Sequence, residues 1–202
     1  MKTKIKVLGI LSTALLCGLF AFRPAEEKKV ILIDAGHGGH DFGVTMYGFQ
    51  EKNISETIAQ KIKALNKDNN IEIVLLREGD HFMELSERVS IINNLKPDLV
   101  ISLHVNSSKS FESNGVDAYI SSKKEFYEKS KENAEKIVNK ISGENLSKRR
   151  VTEAPFYILK NANCAAITLE MGFLSNNNDR VYLTSESGQN EIAANILESI
   201  KE

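Results

Sequence analysis

Cysteine is nearly absent from this chain. Of 202 residues only Cys17 and Cys164 carry a thiol. Cys17 lies in an N-terminal segment that reads as a leader, so the rest of the chain holds one cysteine and no internal disulfide. Stability must come from a hydrophobic core, which a chain of this length can form. An excess of positive charge is missing too. The formal net charge is −1, and loss of Lys2, Lys4, Lys6 and Arg23 with the leader takes it to about −5. Nothing resembles a basic face for phosphates, which argues against a nucleic-acid partner. No apolar run reaches the roughly 20 residues of a membrane-spanning helix. Internal repeats, low-complexity tracts and a second domain are also lacking. With 42% hydrophobic and 26% charged residues the composition is that of an ordinary globular protein.

The N-terminus stands apart. Met1-Lys2-Thr3-Lys4-Ile5-Lys6 is basic, and Val7 to Phe22 is apolar or small and uncharged. Arg23-Pro24 and the run Glu26, Glu27, Lys28, Lys29 close it. This is the pattern of a secretory signal over residues 1–25, with an uncleaved anchor as the alternative. Ala21 and Ala25 are the nearest cleavage positions, and neither has a clean small-x-small pattern. Leu16 before Cys17 is a poor match to a lipoprotein signal. The expectation is an exported monomer of the periplasm or cell envelope, folded over residues 28–202. A membrane tether is expected only if the leader is retained.

From Lys29 onward short apolar runs read as strands: Val30–Ile33, Ile71–Leu76, Leu99–Leu103, Val116–Ile120, Phe156–Leu159 and Ala165–Leu169. Several are continuously apolar, as in a strand covered on both faces. Between them apolar residues recur at helical spacing: Ile54, Ile58, Ile62 and Leu65; Leu85, Val89 and Ile92; Phe126, Ala134, Ile137, Val138 and Ile141; Ile192, Ile196 and Ile200. Ser142 to Thr152 is polar and basic and reads as a loop. The alternation predicts one α/β domain, a twisted, mostly parallel sheet of about six strands with helices on both faces.

In such sheets ligands bind beyond the carboxyl ends of the strands. The first strand is followed by Asp34-Ala35-Gly36-His37-Gly38-Gly39-His40-Asp41, the third by His104-Val105-Asn106, and the sixth ends in Glu170-Met171-Gly172. Glu51 opens the first helix, fourteen residues after His37. Two histidines and two carboxylates therefore sit on segments able to converge on one rim. Two imidazoles and one carboxylate suit a hydrolytic zinc site with one position left for water. A separate carboxylate can serve as general base and proton donor. Gly36, Gly38 and Gly39 permit a tight turn after the strand. Spacing alone leaves open which carboxylate does what, and leaves coincidence open too. Taken alone, Glu51 is a helix-start carboxylate favoured by the dipole, and His104 a buried strand-end histidine.

Six segments in order sharpen this. They are Ile33-Asp34-Ala35-Gly36-His37-Gly38-Gly39; Glu51-Lys52-Asn53; Arg77-Glu78-Gly79-Asp80; Leu85-Ser86-Glu87-Arg88-Val89; Ile101-Ser102-Leu103-His104-Val105-Asn106; and Leu169-Glu170-Met171-Gly172-Phe173-Leu174-Ser175-Asn176. Over roughly Lys29 to Lys201 the chain closely resembles the zinc-dependent N-acetylmuramoyl-L-alanine amidase family. The resemblance implies one zinc ion per chain held by His37, Glu51 and His104, with Glu170 as the catalytic carboxylate. It implies peptidoglycan as substrate, cut between the lactyl carbonyl of N-acetylmuramic acid and the L-alanine of the stem. Asn106 matches a family position and is expected to shape the site. Arg149-Arg150 departs from the Arg-Gly of many relatives. Some regulated relatives carry a long plug after the second histidine, where this chain has only Ser107 to Asn114. A zinc-less wall-binding module and a stem carboxypeptidase are the rival readings.

The other conspicuous residues read more plainly. His40 is expected to be a partly exposed loop histidine and His81 a solvated one. Cys164 reads as a small buried hydrophobe. Arg77 and Arg88 are expected to hold loops near the site, and Lys123 to Lys140 to form a solvated helix face.

Overall fold

The computed structural model describes residues 28–201; the expected leader, with Cys17, lies outside them. The main sheet has six strands: β1 (Lys29–Ala35), β4 (Ile71–Leu75), β5 (Leu99–Asn106), β6 (Val116–Ile120), β7 (Lys148–Glu153) and β8 (Ala166–Phe173). Their order is β4-β1-β5-β8-β6-β7. β4, β1, β5 and β8 pair in parallel, β6 runs antiparallel to β8, and β7 is parallel to β6. A two-stranded hairpin, β2 (Thr45–Met46) and β3 (Phe49–Gln50), stands apart from the sheet.

Side-chain alternation builds two cores. Ile31, Ile33, Ile101, Leu103, Ile167 and Leu169 point to one face; Leu32, Val100 and Ala166 point to the other. Both sets are buried, which is why these strands carry apolar residues at successive positions in their first halves. The first face is covered by α1 (Glu51–Leu65), α3 (Lys124–Ile141) and α6 (Glu186–Lys201). These helices contribute Ile54, Ile58 and Ile62, Ala134, Ile137 and Val138, and Ile192 and Ile196. The second face is covered by α2 (Leu85–Leu95), through Val89 and Ile92, and by the short α4 (Tyr157–Asn161), through Ile158 and Leu159. α5 (Asn177–Thr184) follows β8, and the Asn176 side chain caps it by accepting from the N–H groups of Asn178 and Asp179.

Two expected elements differ. Phe156–Leu159 is the start of α4 rather than a strand, with Ile158 and Leu159 packed in the core with α2. A four-residue apolar run has no decisive period, and packing made it a helix. The sixth strand is instead β7, drawn from the segment that reads as a loop. β7 is an edge strand, exposed or half-buried throughout, so it carries no apolar signature. Among the described residues no helix is long and apolar enough to cross a membrane.

Ile101 is fully buried at the centre of the sheet. Ile101→Ala should cost about 2–5 kcal/mol in urea denaturation, whereas Val181→Ala, at a position 61% exposed, should shift stability by under about 0.5 kcal/mol.

Candidate active site

The turn after β1 is built on two buried guanidinium groups. Arg88 donates to Asp34 Oδ1 at 2.6 Å, to the Ala35 carbonyl at 2.9 Å and to the His37 carbonyl at 2.6 Å. Arg77 donates to the carbonyls of Ala35 at 3.1 Å and Gly36 at 3.3 Å. These arginines satisfy carbonyls that strand pairing leaves free. The Lys52 ammonium holds the loop from the other side, at 2.7 Å from the Gly39 carbonyl and 2.6 Å from Asp80 Oδ2.

This clamp presents His37 in a left-handed conformation (φ 61°), which non-glycine residues seldom adopt. Two glycines make room around it. A Cβ on Gly36 would lie 2.5 Å from the His104 ring, and one on Gly43 (φ 62°) 2.5 Å from Glu51 Oε2. Gly36 is therefore required by the neighbouring strand.

The structure brings His37, Glu51 and His104 together, with one donor atom of each within 4.8 Å of the others. Glu51 Oε1 lies 3.1 Å from His37 Nε2 and 2.9 Å from His104 Nδ1. It also accepts the Val105 N–H at 3.0 Å, and Glu51 Oε2 accepts that of Val44 at 2.8 Å. Asp41 Oδ2 takes the other nitrogen of His37 at 2.8 Å, so Nε2 is the nitrogen that faces the group. A carboxylate behind a histidine in this way orients the ring of a metal ligand.

Charge follows the geometry. Burial disfavours the cationic form of His37, but Glu51 and Asp41 outweigh it and bring the ring up to about 9. Burial likewise opposes protonation of His104, and Glu51 again overrides it and raises the ring above its usual value. Glu51 itself is buried, which favours its neutral form, yet the two histidines hold it far below the ordinary carboxylate range.

Glu170 on β8 is the direct neighbour of His104 on β5 and shares its face of the sheet. Its Oε2 is buried without a hydrogen-bond partner. Burial pushes its carboxyl up to about 7; His104 and His37 pull it down, while Glu51 and Asp117 push it up. Asn106 lines the same cleft. Its Oδ1 accepts the Ser107 N–H at 2.7 Å, and its carbonyl accepts that of Leu174 at 2.9 Å. The cleft, about 580 Å³, has a mainly apolar wall of Phe82, Met83, Leu85, Phe156 and Tyr157. His40 stacks on Phe82 with ring centroids 4.2 Å apart and is not among the clustered donors. His81 is exposed. Cys164 is buried, which pushes its thiol up to about 11.

Sequence reading passed over Asp41 and Gly43. Asp41 stands four residues after His37 in the quoted motif, a carboxylate beside a proposed ligand, and that was the available signal. Gly43 gave none, because its clash is with Glu51, eight positions away.

Two imidazoles and a carboxylate with one direction open are the donor set of hydrolytic metal sites. The orphaned carboxylate oxygen beside them fits a base that awaits a substrate or water. The sequence profile of the family described as N-acetylmuramoyl-L-alanine amidase matches residues 31–202, and the chain belongs to that family. It is 32% identical to the uncharacterized protein YqiI of Bacillus subtilis (86% of this chain, 84% of that one). It is 31% identical to a putative N-acetylmuramoyl-L-alanine amidase of Buchnera aphidicola subsp. Baizongia pistaciae (85% and 94%). Among solved structures it is similar to the catalytic domain of CwlV, an N-acetylmuramoyl-L-alanine amidase from Paenibacillus polymyxa, with 32% identity and TM-score 0.76 (86% and 96% covered). It is also similar to the CwlD amidase of Clostridioides difficile, solved with the GerS lipoprotein, with 29% identity and TM-score 0.78 (86% and 97%).

His37 must give up its proton to offer Nε2 to a cation. Since it holds that proton up to about pH 9, protons compete with the ion below that pH. Affinity for a divalent cation should therefore climb from pH 6.5 to pH 9, by roughly tenfold per unit for each proton displaced. Calorimetry at pH 7.5 in buffers of different ionisation enthalpy should read proton release on binding; none would contradict this geometry.

Proposed function

We propose that the protein is a zinc-dependent N-acetylmuramoyl-L-alanine amidase. It hydrolyses the linear amide between the lactyl carbonyl of N-acetylmuramic acid and the L-alanine of the peptidoglycan stem. One observation carries the reading: His37 Nε2, Glu51 Oε1 and His104 Nδ1 converge in a cleft beside the buried, unpartnered Glu170 Oε2. Family membership supplies the bond to be cut.

His37, Glu51 and His104 would hold one zinc ion per chain, which supplies Lewis acidity to the amide carbonyl and to the attacking water. Asp41 keeps Nε2 of His37 facing the ion. The Val44 and Val105 N–H groups hold the Glu51 carboxylate in orientation. Glu170 accepts the proton of the water and returns it to the alanine nitrogen as the amide breaks. A carboxyl poised at about 7 can do both near neutral pH. Asn106 shapes the rim beside His104, and the apolar wall excludes water from the stem. The working unit is a monomeric domain over residues 28–202 behind a leader at 1–25, exported to the periplasm or cell envelope. Its task is wall remodelling or daughter-cell separation. With only Ser107 to Asn114 after the His104 strand, the purified protein is expected to act without a releasing partner.

Glu170→Gln should lower turnover of purified cell walls by about 10² or more while zinc content stays at the wild-type level. Products decide the bond: whole stems with a new L-alanine amino end are expected, and stems shortened from the other end would overturn the reading. Chelation should abolish activity and added zinc restore it; full activity in metal-free protein would refute the mechanism.

A further inference from the structure

We propose that Arg150, presented by a bulge in β7, binds a carboxylate on the stem peptide and gives the site a preference for stems in which that carboxylate is free rather than amidated. The inference rests on the amidase reading and deepens it.

The register of β6 and β7 carries the argument. Val116 pairs with Lys148 and Ala118 with Val151, so Asp117 alone faces both Arg149 and Arg150. Such a bulge turns two consecutive side chains towards one face, where a regular strand would send them to opposite faces. Both guanidinium groups accordingly reach Asp117: Arg149 Nε is 2.8 Å from Oδ2, and Arg150 Nε is 3.4 Å from Oδ1. On its other side Asp117 pairs with Glu170 across β6 and β8. The two arginines are thus separated from the proposed general base by β6 alone.

Their situations differ. Arg149 is engaged three times over, by its hydrogen bond to Asp117, by the Asn114 carbonyl at 3.3 Å and by the Phe173 ring at 5.1 Å. Arg150 is held more loosely. Its side chain is 63% exposed, and Asp117 Oδ1 still lacks a hydrogen bond. The pair joins a buried carboxylate to a mostly solvent-exposed guanidinium. Arg150 also hydrogen-bonds Tyr119, and the rest of its planar set of N–H donors is shaped for a carboxylate. Its neighbour Tyr119 packs against Phe156 at 5.1 Å between ring centroids, and Phe156 lines the cleft. The guanidinium is thus linked through Tyr119 to Phe156 in the cleft wall.

The cleft needs such a group. Asp34, Asp41, Glu51, Glu84 and Glu170 line it, and among the described lining residues the only lysine or arginine is Arg88, which is spent on Asp34. Asp34 is paired with Arg88, and Asp41 and Glu51 with the histidines, so a stem carboxylate near the scissile amide would face the carboxyl groups of Glu84 and Glu170.

The test uses two muramoyl dipeptides that differ only in whether the α-carboxyl of the second residue, isoglutamate, is free or a carboxamide. Zinc-loaded Glu170→Gln protein binds both without turnover, and calorimetry gives each Kd. The free acid is expected to bind about tenfold tighter, and adding Arg150→Gln should erase the difference while Arg150→Lys keeps part of it. Equal affinities in the protein that retains Arg150 would overturn the proposal. So would an Arg150→Gln change that weakens both ligands alike, the mark of a purely structural role. Failure of the amidase reading looks different: wall digests would lack new L-alanine ends, whatever the two affinities.

Discussion

One oxygen atom organises the carboxyl edge of the sheet. Glu51 Oε1 faces the rings of His37 and His104 and the Val105 N–H at once, and so joins the turn after β1, the start of α1 and the end of β5. The residue is only 3% exposed. A carboxylate that deep stays ionised only when cations and donors surround it. The constraint spreads outward. Gly43 has to be glycine because Glu51 Oε2 occupies the space its side chain would fill, and Gly36 because the His104 ring does. The left-handed backbone at His37 is held from both ends, by Arg88 on its carbonyl and Asp41 on its ring.

The two faces of the sheet divide the labour. The face under α1, α3 and α6 is apolar to its rim and supplies most of the core. On the other face the apolar layer stops short. Asp34, Ser102 and Thr168 replace it towards the carboxyl edge, with Ser102 donating to Asp34 at 2.7 Å and Arg88 completing the group. That polar floor lets a cleft open next to His104 and Glu170 without exposing a hydrophobic layer. α2 and α4 flank it with the aromatic and aliphatic groups that make its wall.

Much of this was legible in the chain. Central strands announce themselves because both faces are buried, so unbroken apolar runs, Val30–Ile33, Leu99–Ile101 and Ala165–Ile167, mark the starts of β1, β5 and β8. The long helices show because their stripes face a single partner. β7 could not be read, since an edge strand paired on one side has no need of apolar residues. α4 was misread because four apolar residues fit either period. The histidines and glutamates stood out by their places after strands, and the ordered motifs tied them together. Asp41, Gly43 and Asp117 matter through contacts between segments, and no local pattern marks such contacts.

The order of strands in the sheet has a further consequence, for the route by which the molecule assembles. No rung of the six-stranded ladder joins residues closer than the 32 positions between Val116 and Lys148. β1, first along the chain, is held between β4 and β5, which are made later. Local hairpins cannot nucleate such a sheet, and closing long loops before any reward is slow. The three donor groups, spread from position 37 to position 104, meet only once β1 and β5 have paired across some 68 positions of chain, so the cluster is itself a product of long-range closure.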